Sequence, residues 1–498
     1  MSAPMTALPE LLHGIAPVPP ALATLAVAGL ALDSRQLTPG QGFIALAGGS
    51  GHGLAHVEQA LQRGASCVLY EPAASLPVPA MAVPAIAVPG LRAHLGVLAE
   101  RAYAAPSRSL HIAGVTGTNG KTSTVHLLAQ ALALADIDVA TIGTLGAGRP
   151  GALVEGERTT PDVLSVHALL RRFVDAGISH VAMEVSSHAL DQGRVDCVQF
   201  AIAVFTNLSR DHLDYHGDMA AYGAAKARLF AWPDLQAAVI NTDDAFGAHL
   251  VAQVPAGVRL LRCGLAALAD GALPEFHARD VRTGHDGLRF TLQTPQGQAD
   301  IATRLLGRFN VANLLGVAAT LHAFGWTLAQ IAQALPALES VPGRMSRLGG
   351  DGRPLLVVDY AHTPDALEQA LASLREHTPG RLHCVFGSGG ERDRGKRPQM
   401  AAIAQAGADR IIVTDDNPRG EDGDAIVAEI LAGFDADAPV RVQRDRDRAI
   451  AETIAGADSA DTVLIAGKGH EPYQEIAGRR LPFDDRQKAA RALEDWSC

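Results

Sequence analysis

The stretch Gly114-Val115-Thr116-Gly117-Thr118-Asn119-Gly120-Lys121-Thr122 brings together residue types suited to one task, the cradling of nucleotide phosphate. Backbone N–H groups of such a turn point inward, and the helix that follows offers its positive end. Lys121 can reach the β and γ phosphates, and the Thr122 hydroxyl can ligate Mg²⁺. The upstream glycine is Gly114, one place earlier than the general phosphate-loop spacing asks, where Val115 stands. Context adds what the pattern lacks. Leu110-His111-Ile112-Ala113 reads as a short buried strand, and Ser123 to Leu134 carries helical spacing without Pro or Gly. The expected ligand is ATP; the alternative is a glycine-rich turn in an ordinary strand-to-helix connection.

Open α/β sheets place ligands at the carboxyl ends of their strands, so polar residues just after apolar runs carry the next signals. Glu184 closes the run His180 to Val185 and precedes Ser186, Ser187 and His188; its carboxylate could complete the coordination of Mg²⁺ held by Thr122, or simply face solvent. The run Phe200 to Phe205 leads into Thr206-Asn-Leu-Ser-Arg-Asp-His-Leu-Asp-Tyr-His216, dense in Asp and His for a connecting loop. That density suggests a second metal or phosphate contact, although a lone His such as His212 is as readily a hydrogen-bonded surface residue. Further on, three strand ends carry Gly387 to Arg397, Asp415-Asp416-Asn417-Pro418-Arg419 and Gly467-Lys468-Gly469-His470-Glu471. If these loops converge, Arg392 and Arg419 make a planar clamp for a carboxylate while Asp416 and Glu471 receive an ammonium group. A small zwitterion with more than one head group would satisfy both signs.

The elements that must position these residues are legible as alternation. From about residue 108 onward, β-branched runs alternate with helical patterns, as in His180–Val185, Phe200–Phe205 and Ala237–Ile240, the rhythm of a parallel sheet covered by helices. The rhythm returns in Leu355–Val358, His383–Phe386, Arg410–Val413 and Thr462–Ile465. Ser340-Val-Pro-Gly-Arg344 punctuates a boundary near 341, and the Pro-rich Pro77 to Pro89 with Ala104-Ala-Pro-Ser107 places another near 106. The expected domains are therefore 1–106, 107–341 and 342–498, in keeping with the length of 498 residues.

With 42 Lys and Arg against 53 Asp and Glu, and no basic run or aromatic ladder, a nucleic-acid partner is not expected. The five cysteines (67, 197, 263, 384, 498) are scattered, odd in number and never paired as Cys-x-x-Cys, which fits a reducing cytoplasm rather than a disulfide framework or zinc site. Gly14 to Leu32 is uncharged, but Pro17, Pro19 and Pro20 interrupt it and no basic region precedes it, so no membrane insertion is expected.

Gly117-Thr118-Asn119-Gly120-Lys121-Thr122, Met183 to His188, Thr206 to His212 and Asp359-Tyr-Ala-His-Thr-Pro364 together closely resemble the Mur ligases, ATP-dependent amide-forming enzymes of peptidoglycan precursor synthesis. The resemblance covers nearly the whole chain. It implies an α/β protein of three domains: a smaller N-terminal domain for the UDP-MurNAc-peptide, a central P-loop-type ATPase domain with a mostly parallel sheet, and a Rossmann-like C-terminal domain for the amino acid. It also implies that ATP phosphorylates a substrate carboxylate and that an amine then attacks the acyl phosphate. By the same resemblance, Gly117, Thr118, Asn119, Gly120, Lys121, Thr122 and Ser123 meet ATP, with Asn310 and Asn313 near the adenine and Arg344, Asp359 and His362 from beyond the domain boundary. Thr122 and Glu184 would hold one Mg²⁺, with His212 and a carbamylated Lys226 supporting a second. Lys121, Lys226, His212 and Glu184 are the expected catalytic group.

For the nucleotide-sugar peptide, the resemblance implies Leu32, Ser34, Gly49, Ser50 and Gly51, then Thr159, Thr160, Ser186, Gln192 and Arg194. For the amino acid it implies Arg392, Asp416, Asn417, Pro418, Arg419, Gly467 and Glu471. The Asp416 to Arg419 loop is similar to that of family members which add meso-diaminopimelate rather than L-lysine, so the implied substrates are UDP-MurNAc-L-Ala-D-Glu and meso-diaminopimelate, handled by a cytoplasmic monomer. Competing readings are an L-lysine-adding ligase, a folylpolyglutamate synthase, or a nucleotide-dependent switch that needs no acceptor amine.

Overall fold

The uncharged β-branched runs become buried strands, and the glycine-rich turn hangs from the carboxyl end of one of them. The computed structural model describes residues 5–48, 51–73 and 78–497. The architecture is α/β, and the chain divides into two compact units, Met1–Pro274 with Ala319–Phe324, and Glu275–Ala318 with Gly325–Cys498.

In the first unit, the N-terminal part is a small parallel sheet of strands Leu30–Ala31, Gly42–Ala45, Cys67–Tyr70 and Ala85–Ala87, in that order. Leu8, Leu11, Ile44, Leu69, Val88 and Leu98 form its core, joined by Val163 and Leu164. The uncharged segment Gly14 to Leu32 is broken into a 3₁₀ turn, Pro20–Leu22, and the strands Ala26–Val27 and Leu30–Ala31. Among the described residues no helix is long and apolar enough to cross a membrane.

The larger sheet of this unit runs Ala152–Val154, Gly146–Arg149, Val139–Gly143, His180–Glu184, His111–Thr116, Ile202–Phe205, Ala237–Asn241, Arg259–Gly264. Its first two strands are antiparallel and the rest parallel. His111–Thr116 is therefore flanked by two strands that follow it in sequence, and the chain crosses to opposite sides of it; that reversal opens a crevice at the strand's carboxyl end. Ile112, Ile142, Leu170, Met183, Phe200 and Phe230 fill the core beneath. Helix Val163–Asp175 starts where Asp162 accepts the N–H groups of Leu164 (3.1 Å) and Ser165 (3.2 Å).

The second unit contains a three-stranded antiparallel sheet, Phe276–Gly284, Gly287–Thr294 and Gly297–Thr303. It also contains a sheet ordered Ser346–Gly349, Leu355–Asp359, Thr462–Ala466, Leu382–Phe386, Arg410–Val413, Val440–Val442, antiparallel only at its first strand. Beneath its carboxyl edge lies an ion pair with both side chains at 0% exposure: Arg446 Nε and Nη2 donate to Asp485 Oδ1 (2.8 Å) and Oδ2 (2.7 Å), and Nη2 also donates to Ala466 O (3.0 Å). Truncating one partner would leave the other charge buried and alone. Asp485→Ala is expected to lower the unfolding free energy of this unit by about 3–5 kcal/mol, read from urea denaturation, and a loss below about 1 kcal/mol would show the pair to be idle.

Candidate functional site

Strand His111–Thr116 ends in the turn, and helix Lys121–Leu134 begins at Gly120, which takes φ +82° and caps the helix with no side chain. The first N–H groups of that helix are thus left to a ligand, at the positive end of its dipole. The turn is braced from the next strand end: Thr118 N–H donates to Asn207 O (2.8 Å), Asn119 N–H to Asn207 Oδ1 (2.9 Å), and Thr206 Oγ1 to Asn119 O (2.6 Å). Close approach requires Gly117, at φ +148°, because a Cβ there would stand 1.9 Å from Thr206 Oγ1.

Lys121 Nζ lies inside the turn, donating to Gly117 O (2.9 Å) and Thr118 O (2.8 Å). Lys226, 1% exposed on helix Met219–Ala227, donates to the same Gly117 O (2.8 Å) and lies 4.4 Å over the Tyr222 ring. Burial holds the Lys121 amine below its ordinary range. Burial, reinforced by the neighbouring Lys121 charge, pushes Lys226 down to about 6.

Glu184, also 1% exposed, closes strand His180–Glu184 and accepts from Thr122 Oγ1 (2.9 Å), Thr144 N–H (2.8 Å) and Thr144 Oγ1 (3.2 Å). Burial raises its carboxyl, while the Thr144 N–H and the Lys121 charge pull the other way. Gly143 gives the carboxylate its lane, since a Cβ there would come within 2.3 Å of Oε1. Hydroxyls continue outward: Thr144 Oγ1 meets Thr159 Oγ1 at 3.0 Å, and Thr160 Oγ1 donates to Glu184 O (2.8 Å) and accepts from Ser186 N–H (3.2 Å). Arg194 donates to Thr160 O (3.0 Å) and to Gln192 Oε1 (3.0 Å), and Gln192 Nε2 donates to Tyr215 OH (3.1 Å). The structure thus draws Thr159, Thr160, Ser186, Gln192 and Arg194 into one network beside Glu184.

His212 takes φ +52° and packs its ring edge-on to His188 (4.8 Å) and Tyr222 (6.1 Å), with His216 5.3 Å from His188. Burial, with the charges of His212 and His216, holds His188 below the usual imidazole range. Among the described residues no set of three or more His, Cys, Asp or Glu stands at metal-ligating spacing. The expected metal ligands fall instead into the hydrogen-bonded pair Thr122 and Glu184, and into His212 and Lys226, which flank Tyr222. The remaining first-unit candidates stand apart from this network. Leu32 packs on the N-terminal core, Ser34 Oγ donates to Gln59 Oε1 (2.6 Å), and Gly51 opens the short strand Gly51–His52. Gly49 and Ser50 lie outside the described residues.

In the second unit, Asn310 and Asn313 are buried on helix Phe309–Ala323, with Asn310 Nδ2 donating to Leu306 O (2.7 Å) and Asn313 Nδ2 to Asn310 Oδ1 (2.9 Å). Asp359 accepts from Met345 N–H (2.7 Å), and burial raises its carboxyl. Arg344 lies 5.3 Å over the Tyr360 ring, and the His362 ring lies 4.5 Å from it, so these three candidates share one place.

The three C-terminal loops do converge. Arg419, at φ +54°, donates through Nη1 to Gly390 O (2.7 Å), and Arg419 Nη1 and Arg392 Cγ both border the site of a Gly389 Cβ, at 2.9 and 3.8 Å. Gly390 N–H donates to Asn417 O (2.9 Å), Gly467 N–H to Asp359 O (3.1 Å), and Glu471 accepts from Asn417 Nδ2 (2.8 Å). Pro418 is buried between them, and Asp416 is 7% exposed. Sequence reading missed Thr144, Asn207, Tyr222 and Lys468. Thr144, Asn207 and Lys468 follow strands at their carboxyl ends and were accessible to the strand-end rule, though the burial of Lys468 was not; Tyr222 acts from a helix face that no spacing marks.

Residues 115–321 match the Mur ligase middle domain, residues 343–469 the Mur ligase glutamate ligase domain, and residues 26–103 the Mur ligase family catalytic domain. The chain belongs to the Mur ligase family and is an ATP-dependent ligase that forms an amide bond and releases ADP. A UDP-N-acetylmuramoyl-L-alanyl-D-glutamate–2,6-diaminopimelate ligase of Xanthomonas campestris pv. campestris (strain 8004) is 58% identical over 470 residues, covering 94% of each chain. One of the same description from Xylella fastidiosa (strain 9a5c) is 54% identical over 473 residues, covering 95% of each. A solved structure of a ligase so described matches with a TM-score of 0.77 at 36% identity, covering 99% of both chains.

Gly117→Ala must push Thr206 off Asn119 or open the turn. It is expected to abolish ATP binding measured by calorimetry while the far-ultraviolet dichroism spectrum is retained; unaltered affinity would overturn the role given to this turn.

Proposed function

We infer that this chain joins meso-2,6-diaminopimelate to the γ-carboxylate of D-Glu in UDP-MurNAc-L-Ala-D-Glu, a step of peptidoglycan precursor synthesis. The observation that supports the reading is the convergence of the loops that carry Arg392, Arg419, Asp416 and Glu471, in a chain 58% identical to a diaminopimelate ligase. A distal group bearing both carboxylate and ammonium finds both counter-charges there. In this reading residues 1–106 hold the UDP-MurNAc-peptide, 107–341 ATP and 342–498 the amino acid, in a cytoplasmic monomer.

A carboxylate is a poor acylating agent, so the first step moves the γ-phosphoryl of ATP onto a γ-carboxylate oxygen of D-Glu and releases ADP. The amine of diaminopimelate then attacks the acyl carbon, phosphate departs with the C–O electron pair, and the amine loses its proton. Lys121, at the helix N-terminus, neutralises charge on the transferring phosphoryl. Thr160, Ser186, Gln192 and Arg194 hold the acceptor's peptide and phosphates.

The Thr122 hydroxyl and Glu184 carboxylate, 2.9 Å apart, are a hard oxygen pair suited to Mg²⁺. They would hold one ion, and His212 with a carbamate on Lys226 a second. When bound, Mg²⁺ supplies charge neutralisation at the phosphates. Carbamylation needs an uncharged amine, which Lys226 offers above about pH 6. The carbamate also replaces repulsion from Lys121 with attraction. With ¹³C-bicarbonate, a carbamate resonance is expected at neutral pH that fades as pH falls through about 6 and is missing in Lys226→Ala; its absence from the parent chain would remove the second-ion reading.

The deciding assay is phosphate release with UDP-MurNAc-L-Ala-D-Glu and meso-diaminopimelate, L-lysine or no amino acid. Release and tripeptide formation are expected with diaminopimelate alone. Preference for lysine would overturn the substrate assignment, and release without an acceptor amine would favour the switch. Arg419→Ala is expected to raise KM for diaminopimelate about tenfold or more without changing that for ATP.

A further inference from the structure

Asp416 and Glu471 are the groups expected to receive a substrate ammonium, yet a cation of the protein is already seated between them and Asn417. Lys468, at 0% exposure, donates through Nζ to Asn417 Oδ1 (2.9 Å) and Glu471 Oε2 (3.2 Å), and stands 3.7 Å from Asp416 Oδ1. That Asp416 oxygen is buried and has no hydrogen-bond partner. Asn417 Nδ2 donates back to Glu471 Oε2 (2.8 Å), and Glu475 N–H donates to Asn417 Oδ1 (2.9 Å). The Asn417 amide is thereby fixed, its oxygen toward the lysine and its nitrogen toward the carboxylate. Gln474 Nε2, donating to Asp416 O (2.9 Å), pins the same loop to strand Tyr473–Ile476.

Charge decides what such a cluster accepts. Asp416 and Glu471 contribute two negative charges and Lys468 offsets one of them, while Arg419 stands 3.8 Å from Glu475. With Lys468 in place the cluster keeps one net negative charge, so a distal group with one ammonium and one carboxylate finds a partner for its ammonium there and one for its carboxylate in Arg419. Without Lys468 the cluster would carry two negative charges, and a distal ammonium alone would be drawn in more strongly where little water remains to screen it.

We propose that Lys468 is a positioning and specificity-determining residue for the amino-acid substrate: it orients Asn417 and Glu471, and it cancels one of the two charges that would otherwise welcome a cationic competitor. This rests on the reading of the C-terminal loops as the diaminopimelate site. Removing the lysine leaves an acidic cluster, which binds the zwitterion less well and discriminates less against L-lysine.

The test compares Lys468→Met, Lys468→Gln and the double variant Lys468→Met/Glu471→Gln with the parent chain, each checked by thermal melting. KM for meso-diaminopimelate is read from steady-state kinetics, and dissociation constants for meso-diaminopimelate and L-lysine from calorimetry. Both single variants are expected to raise KM for diaminopimelate about tenfold, leave that for ATP unchanged, and shrink the affinity ratio of diaminopimelate over lysine. The double variant, with the parent's net charge restored, is expected to regain part of that ratio, and it carries the test if the single variants do not fold. Equal losses for both amino acids, an unmoved KM, or no recovery in the double variant would overturn the proposal. A parent chain that shows no turnover with diaminopimelate would instead overturn the substrate assignment itself, whatever the variants do.

Discussion

Two lysine amines share the carbonyl oxygen of Gly117, and the neighbourhood is organised around that conflict. Two ammonium groups so close in a water-poor site repel by several kcal/mol at intermediate dielectric, which the site relieves by leaving one amine neutral. Burial lowers both amines; Lys121 has the Glu184 carboxylate to oppose the loss, whereas Lys226, enclosed with Tyr222 at its face, is pushed down to about 6. The catalytic reading of this region follows from the asymmetry. Lys121 has a carboxylate beside it that favours its charged form, and Lys226 offers an uncharged amine above about pH 6.

The same logic of charge placed before the ligand arrives governs the second unit. Arg419 and Lys468 are held by loops that follow strands Arg410–Val413 and Thr462–Ala466, on either side of Leu382–Phe386, and the Arg446–Asp485 pair supports Ala466 just before Gly467. Rigid parallel strands fix where each loop starts, so side chains far apart in sequence, such as Asn417 and Glu471, meet without any local sequence pattern linking them.

How much of this was legible in the sequence follows from the range of the forces involved. The strands Leu355–Asp359, Leu382–Phe386, Arg410–Val413 and Thr462–Ala466 were readable because both faces are buried and their apolar runs are continuous. The predicted Phe200–Phe205 run begins as a strand only at Ile202, its first residues serving as the approach to the sheet. Val139–Gly143 went unread, since Ala, Thr and Gly weaken its apolar signal, and so did the antiparallel strands Phe276–Gly284 to Gly297–Thr303, whose alternating faces carry Arg, Asp and Gln. The phosphate turn, Glu184 and the three C-terminal loops were visible as residue types at strand ends. What no pattern could show was that Thr144 embraces Glu184, or that Lys468 is wholly buried, because those facts depend on tertiary neighbours.

The hydroxyls around Glu184 have a kinetic meaning of their own. Thr122, Thr144 and Thr159 are linked in a chain in which each O–H bond can turn about its C–O axis. An incoming anion or cation can therefore be met by swinging protons through a fraction of an ångström while every heavy atom stays where the strands put it. Solvent reorganisation, the main obstacle to moving charge in water, is exchanged here for the torsion of a few light rotors.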